Sequence, residues 1–264
     1  MIRLVALDLD GTLVGRDLAL HDRVKAEIAR VLAAGVRGCV VTGRMYRASL
    51  PYARELALDA PIICYQGAAI VDPQTDEVLF DRPVANATVL EIVEIAKAGG
   101  VHLQLYRNDN YYCEEKNRFS DLYARLSRVE PIVVPSLREA FATSDATKAV
   151  IVADAEVAEK EVERVRASLG DRAYVTRSYP EFVEILDPRV DKAQALAFVA
   201  ARLEIELSEV LAIGDSWNDV PLLRAAGVGI AMGNAPDELK AIATAVVADV
   251  EHDGVAEALE KYVP

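Results

Sequence analysis

Long apolar runs and paired cysteines are both missing from this chain of 264 residues. No uncharged apolar stretch reaches the roughly 18 residues that a membrane-spanning helix needs. Asp8 and Asp10 interrupt the first apolar run, which argues against a signal-peptide pattern. Cys39, Cys64 and Cys113 lack C-x-x-C spacing, which argues against a disulfide framework and against a zinc site. We therefore expect a cytoplasmic protein with no membrane partner, whose thiols are buried and reduced.

Positive charge is scarce as well, because 42 acidic residues outnumber 29 basic ones and leave a formal net charge of -13. A surface this acidic repels nucleic acid, so none is expected as a partner. It also repels an anionic substrate unless a cation or local basic groups reverse the field at the site. Hydrophobic residues make up 52% of the chain, which is enough for a sizeable core. The length suits one large domain or two smaller ones. We expect a monomer or a small homo-oligomer.

Short β-rich runs alternate with amphipathic segments in the first and last thirds of the chain. This alternation is typical of βα units and predicts an α/β fold with a doubly wound, mainly parallel sheet. The middle third mixes helices and strands in two blocks, which predicts an inserted α+β module. We predict a core domain from residues 1–83 and 187–264, with the module at residues 84–186.

The polar residues that carry chemical information follow predicted strands. In open α/β sheets, ligands bind beyond the carboxyl ends of the strands, so these residues are expected at one edge. They are Asp8, Asp10, Gly11 and Thr12 after the first strand, Thr42 and Gly43 after the second, and Asp215, Ser216, Asn218 and Asp219 after a later one.

The residue types at these positions indicate phosphoryl transfer. Asp8 and Asp10 are close enough in sequence to repel each other, and carboxylates at two strand ends suit Mg²⁺. One carboxylate can attack phosphorus, while a second protonates the leaving oxygen and later deprotonates water. A threonine hydroxyl, loop N–H groups and a lysine can hold the transferring oxygens. Lys192 begins a predicted helix, where the helix dipole disfavours a cation, so we expect it to have an anionic partner.

Four segments carry these groups in a fixed order: Asp8-Leu9-Asp10-Gly11-Thr12-Leu13, Thr42-Gly43-Arg44, Lys192, and Gly214-Asp215-Ser216-Trp217-Asn218-Asp219. They resemble the four motifs of the haloacid dehalogenase superfamily, in the same order. Gln66-Gly67-Ala68, Met232-Gly233-Asn234-Ala235 and Asp253-Gly254-Val255-Ala256 resemble the Cof-type sugar-phosphatase branch. The insert lies between the second and third motifs and resembles the C2-type cap of that branch in placement and length only.

The resemblance implies a role for each matching residue. Asp8 would be the nucleophile and a metal ligand, and Asp10 the general acid/base, with its backbone carbonyl on the metal. Asp215 would complete an Mg²⁺ site. The phosphate would be held by Thr42, Gly43, Arg44, Lys192 and Asn218, with Ser216 and Asp219 behind the metal ligands and Arg44 also able to bridge core and cap.

This chain departs from the branch pattern in two places. Gln66 stands where the branch usually has Asn, and Asp191-Lys192-Ala193 stands where it usually has Ser-Lys-Gly. Neither departure touches the nucleophile, but both bear on how the substrate is positioned.

Residues that select the leaving group are expected in the inserted module. Three of the seven residues from Tyr106 to Tyr112 are tyrosines, in a chain that is 6% aromatic. We predict Arg107, Asn108 and Tyr111 as contacts to a hydroxyl-rich substrate, with residues 178–181 as a second candidate. The alternative is a cross-strand tyrosine pair beside a polar turn.

Three functions fit these features. The first is an Mg²⁺-dependent phosphatase of small phosphate monoesters, with phosphosugars as the expected substrates and an aspartyl-phosphate intermediate. The second is a phosphomutase of the phosphomannomutase type, whose core and cap placement are similar. The third is a non-catalytic, phosphorylatable receiver-like protein, which the motif order and the large insert disfavour.

Overall fold

The computed structural model describes residues 1–263 and divides into two compact units. Among the described residues, one unit comprises Met1–Phe80 and residues 191–263, and the other is Asp81–Val190. The boundaries predicted from the sequence, after residues 83 and 186, lie within a few residues of this division.

The first unit begins with a β-α-β pattern and then a meander of short strands. Its elements are β1 (Leu4–Leu7), α1 (Asp22–Ala33), β2 (Arg37–Val40), α2 (Tyr46–Glu55), β3 (Ile62–Cys64), β4 (Ala69–Val71) and β5 (Val78–Asp81).

The second unit mixes both element types throughout. Its elements are α3 (Asn86–Gly99), β6 (His102–Arg107), β7 (Asn110–Cys113), α4 (Arg118–Ser127), β8 (Ile132–Val133), α5 (Leu137–Ala140), β9 (Lys148–Val152), α6 (Ala155–Leu169), β10 (Tyr174–Thr176) and β11 (Phe182–Leu186).

The chain then returns to the first unit and alternates again. The last elements are α7 (Lys192–Arg202), β12 (Val210–Gly214), α8 (Val220–Ala225), β13 (Val228–Ala231), α9 (Asp237–Ile242), β14 (Ala245–Val246) and α10 (Gly254–Tyr262).

The main sheet of the first unit has the strand order β14-β13-β12-β1-β2, and every pairing in it is parallel. Its central strands β1 and β12 are apolar and buried along their whole length, as expected for strands covered on both faces. The predicted α/β class with a mainly parallel sheet is therefore confirmed.

The strand order of this sheet reverses beside β1. From β1 the chain moves outward to β2 on one side, and later returns to build β12, β13 and β14 on the other. Leu7 pairs with both Val40 and Ile213, so the three strands β2, β1 and β12 end at the same level. Such a switch point opens a crevice at the carboxyl ends of the strands, where ligands bind in sheets of this kind.

Helices α7, α8 and α9 cover one face of this sheet. Leu196 and Val199 of α7 and Leu222 of α8 pack in one buried cluster with Leu4, Ala6 and other sheet residues. Helices α1 and α10 pack against each other.

The second unit holds a six-stranded sheet of order β10-β11-β9-β6-β7-β8, in which only the β7–β8 pairing is parallel. Helices α3 and α6 pack on one face of it, through Ile92 and Val165 among others, against strand residues such as Leu105, Ile151 and Val183. This is the α+β arrangement predicted for the insert.

The three cysteines are buried and free, as the sequence indicated. Burial raises the pKa of the Cys39 thiol to about 12. Among residues 1–263, no helix is long and apolar enough to cross a bilayer.

Candidate active site

The loop after β1 begins with Asp8, a side chain that is only 4% exposed. The Asp8 backbone N–H donates to the carbonyl of Ile213 at 3.0 Å, which ties this loop to the end of β12. Gly11 turns the loop with a φ of +81°, and a Cβ at that position would lie 2.1 Å from Oδ2 of Asp215. The first and last motifs therefore meet directly, although they stand at opposite ends of the sequence.

Lys192, at the start of α7, connects two of the acids. Its Nζ donates to Oδ1 of Asp8 and to Oδ1 of Asp219, both at 2.6 Å. Asp8 and Asp219 are thus the anionic partners expected for a cation placed against the helix dipole. Asp191, the residue that departs from the branch pattern, caps this helix by accepting from the Gln194 N–H at 2.7 Å.

Asp219 has both of its carboxylate oxygens engaged within the protein. Oδ1 accepts from Lys192, and Oδ2 accepts from the backbone N–H groups of Asp215 and Ser216 at 3.0 Å each. These contacts close the turn Trp217–Asp219 and fix the loop after β12. Asp219 therefore positions Lys192 and the loop that carries Asp215, and its place behind the metal ligands stays a prediction.

Asp215 is held by two side chains from other loops. Oδ1 accepts from the Thr12 hydroxyl at 3.3 Å, and Oδ2 accepts from Nδ2 of Asn234 at 3.1 Å. Asn234 also donates to the carbonyl of Gly11 at 2.9 Å. Asn234 lies in one of the segments that resemble the Cof-type branch, but no role at the site was predicted for it. The signal was present, because an Asn follows a Gly just beyond a strand end.

The acids raise one another's affinity for protons. Burial raises the pKa of Asp8 to about 7, and the charge of Asp219 adds to that effect while Lys192 opposes it. Burial, followed by the charge of Asp8, raises the pKa of Asp215 well above its usual range. Burial alone would lower the pKa of Lys192, but Asp219 and Asp8 outweigh it and hold that pKa above its usual value. The pocket is therefore short of positive charge.

The donor set fits a divalent cation. One oxygen from each of Asp8, Asp215 and Asp219 lies within 4.8 Å of the others. With Asp10, the site holds four carboxylates. Two cationic side chains, Lys192 and Arg44, pair with them, so two negative charges are left for an ion to balance. Carboxylate oxygens are the ligands that Mg²⁺ prefers. Asp219 is 0% exposed and accepts three hydrogen bonds, one of them from the ammonium of Lys192, so Asp8 and Asp215 are the side chains better placed to bind the ion.

Asp10 forms a two-pronged ion pair with Arg44. Nε and Nη2 of Arg44 donate to the two oxygens of Asp10 at 2.7 and 2.6 Å, and the guanidinium carbon lies 5.3 Å from the Tyr52 ring centroid. Thr42 accepts from the Arg44 backbone N–H through its hydroxyl at 3.1 Å. Arg44 thereby fixes the side chain of Asp10. The contacts of Thr42, Gly43 and Arg44 with a phosphate group stay predictions.

Gln66, the other departure from the branch pattern, contacts the last motif. It adopts a left-handed backbone conformation with φ 61°, and its Oε1 accepts from Nδ2 of Asn218 at 2.9 Å. Oδ1 of Asn218 is buried without a hydrogen-bond partner among the described residues. A buried acceptor of this kind is costly unless a ligand or water supplies a donor. Gln66 thus orients a side chain predicted to bind the substrate.

The sequence model of a protein family, the haloacid dehalogenase-like hydrolases, matches residues 5–259 of this chain. The chain belongs to this family. It is 30% identical over 268 residues to a 5-amino-6-(5-phospho-D-ribitylamino)uracil phosphatase of Bacillus subtilis, with 98% of this chain and 97% of the relative covered. It is 31% identical over 270 residues to a phosphoglycolate phosphatase of Methanopyrus kandleri, covering 99% and 97%. A haloacid dehalogenase-like hydrolase from Bacteroides thetaiotaomicron has a similar structure, with a TM-score of 0.88, 28% identity and 99% of each chain covered.

Membership of this hydrolase family confirms the predicted enzyme class, a phosphoric monoester hydrolase, since the relatives are named phosphatases. The receiver-like alternative is set aside, because it is non-catalytic.

The candidate specificity residues of the second unit have structural partners. The guanidinium carbon of Arg107 lies 4.5 Å from the Phe141 ring centroid, and its Nη1 donates to the carbonyl of Ala140 at 3.2 Å. Asn108 and Asp109, with φ of 53° and 52°, form the two-residue turn between β6 and β7. Tyr111 is buried and donates its hydroxyl to the carbonyl of Val129 at 2.9 Å. These contacts show that the segment packs within its own unit and forms a turn. Its role in recognising the substrate stays a prediction.

Proposed function

We propose that this hydrolase is an Mg²⁺-dependent phosphatase of small phosphate monoesters, phosphosugars in particular, and that it works through an aspartyl-phosphate. The observation that carries the proposal is the placement of Asp8. Asp8 directly follows the central strand β1. Its Oδ1 lies 2.6 Å from Nζ of Lys192, and its carboxylate lies beside Asp215 in the acidic cluster.

Asp8 is the nucleophile in the first step. One of its oxygens forms a bond to phosphorus as the bond from phosphorus to the leaving oxygen breaks. Asp10 gives its proton to that oxygen, so the leaving group departs as an alcohol. The ion pair with Arg44 fixes Asp10 in the described arrangement, so Arg44 has to release it for this proton transfer.

Asp10 is the general base in the second step. It takes a proton from water as the water oxygen attacks phosphorus, and Asp8 is released together with inorganic phosphate. Thr42, Gly43, Lys192 and Asn218 hold the non-bridging phosphoryl oxygens throughout.

Asp8 and Asp215 would hold the ion, with the backbone carbonyl of Asp10. When bound, Mg²⁺ neutralises charge on the phosphoryl oxygens and offsets the repulsion between the acids and the incoming dianion. Thr12, Asn234 and Asp219 keep these ligands in place through their contacts with Asp215.

We further propose that the second unit selects the leaving group as a cap. Its insertion between the second and third motifs supports this role. The Bacillus subtilis relative, whose name specifies a phosphorylated ribityl chain, supports hydroxyl-rich substrates.

A phosphate-release screen over about a hundred phosphorylated metabolites, with and without Mg²⁺, tests the proposal. We expect free phosphate from several sugar or polyol phosphates, in the presence of the ion only. Product analysis separates the phosphomutase alternative, because a mutase returns an isomeric phosphate ester and little free phosphate. That outcome, or no phosphate release from any substrate, would contradict a phosphatase.

A further inference from the structure

Asn234 makes three hydrogen bonds that fix the orientation of its amide. Nδ2 donates to Oδ2 of Asp215 at 3.1 Å and to the carbonyl of Gly11 at 2.9 Å. Oδ1 accepts from the backbone N–H of Val250 at 3.1 Å. Because that N–H can only donate, it requires the oxygen end of the amide, and the NH₂ end therefore has to face the two acceptors. Asn234 itself is exposed, so it lies at the solvent edge of the site.

The backbone on both sides of this contact is tightly packed. A Cβ at Gly233 would lie 2.8 Å from the backbone nitrogen of Asp249. The Gly233 N–H donates to the carbonyl of Ala248, and the Gly254 N–H donates to that of Asp249, both at 3.1 Å. Both glycines belong to segments that resemble the Cof-type branch and that the proposed reaction does not use. Their contacts fix the loop that carries the Val250 N–H.

Asp215 is held at both of its carboxylate oxygens. Oδ1 accepts from the Thr12 hydroxyl at 3.3 Å, and Oδ2 accepts from Asn234. A carboxylate oxygen has two lone-pair sites, so each oxygen can still bind an ion, but the carboxylate cannot turn without losing a hydrogen bond. Asn234 also restrains the backbone beside Asp10, through the carbonyl of Gly11. One amide thus restrains two of the proposed metal ligands, the Asp215 side chain and the Asp10 carbonyl.

Mg²⁺ and Ca²⁺ make different demands on such ligands. Mg²⁺ requires a nearly octahedral arrangement at short distances, keeps several of its waters and needs only one or two carboxylates. Ca²⁺ takes about six to eight oxygens at longer distances, and it accepts carboxylates that bind through both oxygens. A carboxylate that is fixed by two donors meets the first demand and resists the second. Selection between the two ions therefore depends on the side chains that hold Asp215.

We propose that Asn234 is a specificity-determining residue for the metal ion, which makes the site bind Mg²⁺ in preference to Ca²⁺ by holding Asp215 in one orientation. This inference rests on the proposed function, in which Asp215 binds Mg²⁺. It also gives a role to the hydrogen bond from the Val250 N–H, because this bond decides which end of the amide faces Asp215.

Calorimetry of the full chain with Mg²⁺ or Ca²⁺ alone tests the inference, because it measures binding and not turnover. Asn234→Ala removes the amide at an exposed position, where the fold should tolerate the change. The Kd for Mg²⁺ should rise by about tenfold or more, the usual effect of removing a group that orients a metal ligand. The Kd for Ca²⁺ should change much less, because a freed Asp215 can turn towards the larger ion. The ratio of the Ca²⁺ Kd to the Mg²⁺ Kd should therefore fall by about tenfold.

Two further variants separate this role from a general loosening of the loop. Thr12→Val removes the other donor to Asp215 with little change in shape, and it should lower the same ratio. His252→Ala is the matched control, because it truncates a side chain in the same loop as Val250 that is 76% exposed and contacts Asp249. It should leave both dissociation constants unchanged. The rise in Tm with each ion provides a second measure of binding.

An unchanged ratio in Asn234→Ala would overturn the inference, whether both dissociation constants rise together or neither changes. Equal rises would show that the amide only supports the loop or binds the ion directly. Tighter binding of Ca²⁺ than of Mg²⁺ by the wild-type protein would also overturn the inference. If the wild-type protein bound neither ion, the proposed metal-dependent function would fail instead, so the two failures are distinct.

Discussion

At the residue scale, Asp8 has the surroundings that a carboxylate nucleophile needs. It is buried, Lys192 fixes one of its oxygens, and its pKa is raised to about 7, chiefly by burial. A bound cation beside Asp215 would stabilise the ionised form that attacks phosphorus. A carboxylate that serves only as a turn or cap residue has no need of a buried ammonium partner.

Asp8→Asn should therefore abolish turnover and leave the fold intact. The amide is nearly isosteric but cannot attack phosphorus, so kcat should fall by at least about a thousandfold. Phosphate release and circular dichroism measure the two effects. Asp22→Asn, at a side chain that is 99% exposed, is the control and should keep normal activity. Near-normal turnover by a folded Asp8→Asn protein would contradict the mechanism.

At the element scale, the site depends on how closely the loops after β1 and β12 approach each other. The approach is possible because Gly11 has no Cβ, and Thr12 and Asn234 then bind the same carboxylate from two directions. The short buried strands β1 and β12 set the height of both loops, since their register brings Leu7 level with Ile213.

Gly11→Ala and Gly35→Ala separate backbone strain from contact with the site. Both glycines have similar left-handed φ angles, +81° and +84°, but a Cβ at Gly35 meets nothing within 4 Å. Each substitution should cost about 1–2 kcal/mol of unfolding free energy from the left-handed backbone. Only Gly11→Ala should also lower activity strongly, because its Cβ displaces Asp215. Thermal denaturation and phosphate release at a temperature where both variants are folded check this. Equal activity of the two variants would show that the close approach is dispensable.

At the scale of the whole molecule, an acidic protein has to attract an anionic substrate. The formal net charge is -13, and the site itself holds more carboxylates than cations. Long-range attraction therefore cannot bring in a phosphate ester, and local positive charge must do so. A bound divalent ion would supply that charge and would relieve the repulsion that, together with the larger effect of burial, raises the pKa values of Asp8 and Asp215.

We accordingly expect chelation to remove activity, Mg²⁺ to restore it, and Ca²⁺ to restore it poorly, because Ca²⁺ prefers longer bonds and more ligands. Mg²⁺ at about a hundred times its Kd should also stabilise the fold by about 2.7 kcal/mol, seen as a higher Tm. Asp215→Asn should reduce that rise in Tm. Full activity after exhaustive chelation would refute the metal dependence.

The sequence alone determined the class of the main sheet, the enzyme family and the chemical type of the site. Strand periodicity and strand-end acids are local properties, and a parallel sheet brings the carboxyl ends of its strands to one edge whatever the details of packing. The assignment of Asp8, Asp10, Lys192 and Asp215 to one site follows from that geometry and from motif order.

Only the tertiary structure decided which polar side chain meets which. Three contacts at the site depend on loop conformations, which are set by residues distant in sequence. They are the contacts of Asn234 with Asp215, of Gln66 with Asn218, and of Arg44 with Asp10. In the second unit, a tyrosine-rich turn is conspicuous in the sequence, whereas the buried ion pair of Lys148 and Glu184 joins residues that stand 36 positions apart within apolar strands. Period-two alternation predicts that such residues share a face, but the pairing of β9 with β11 was needed to join them, because strand register depends on the whole sheet.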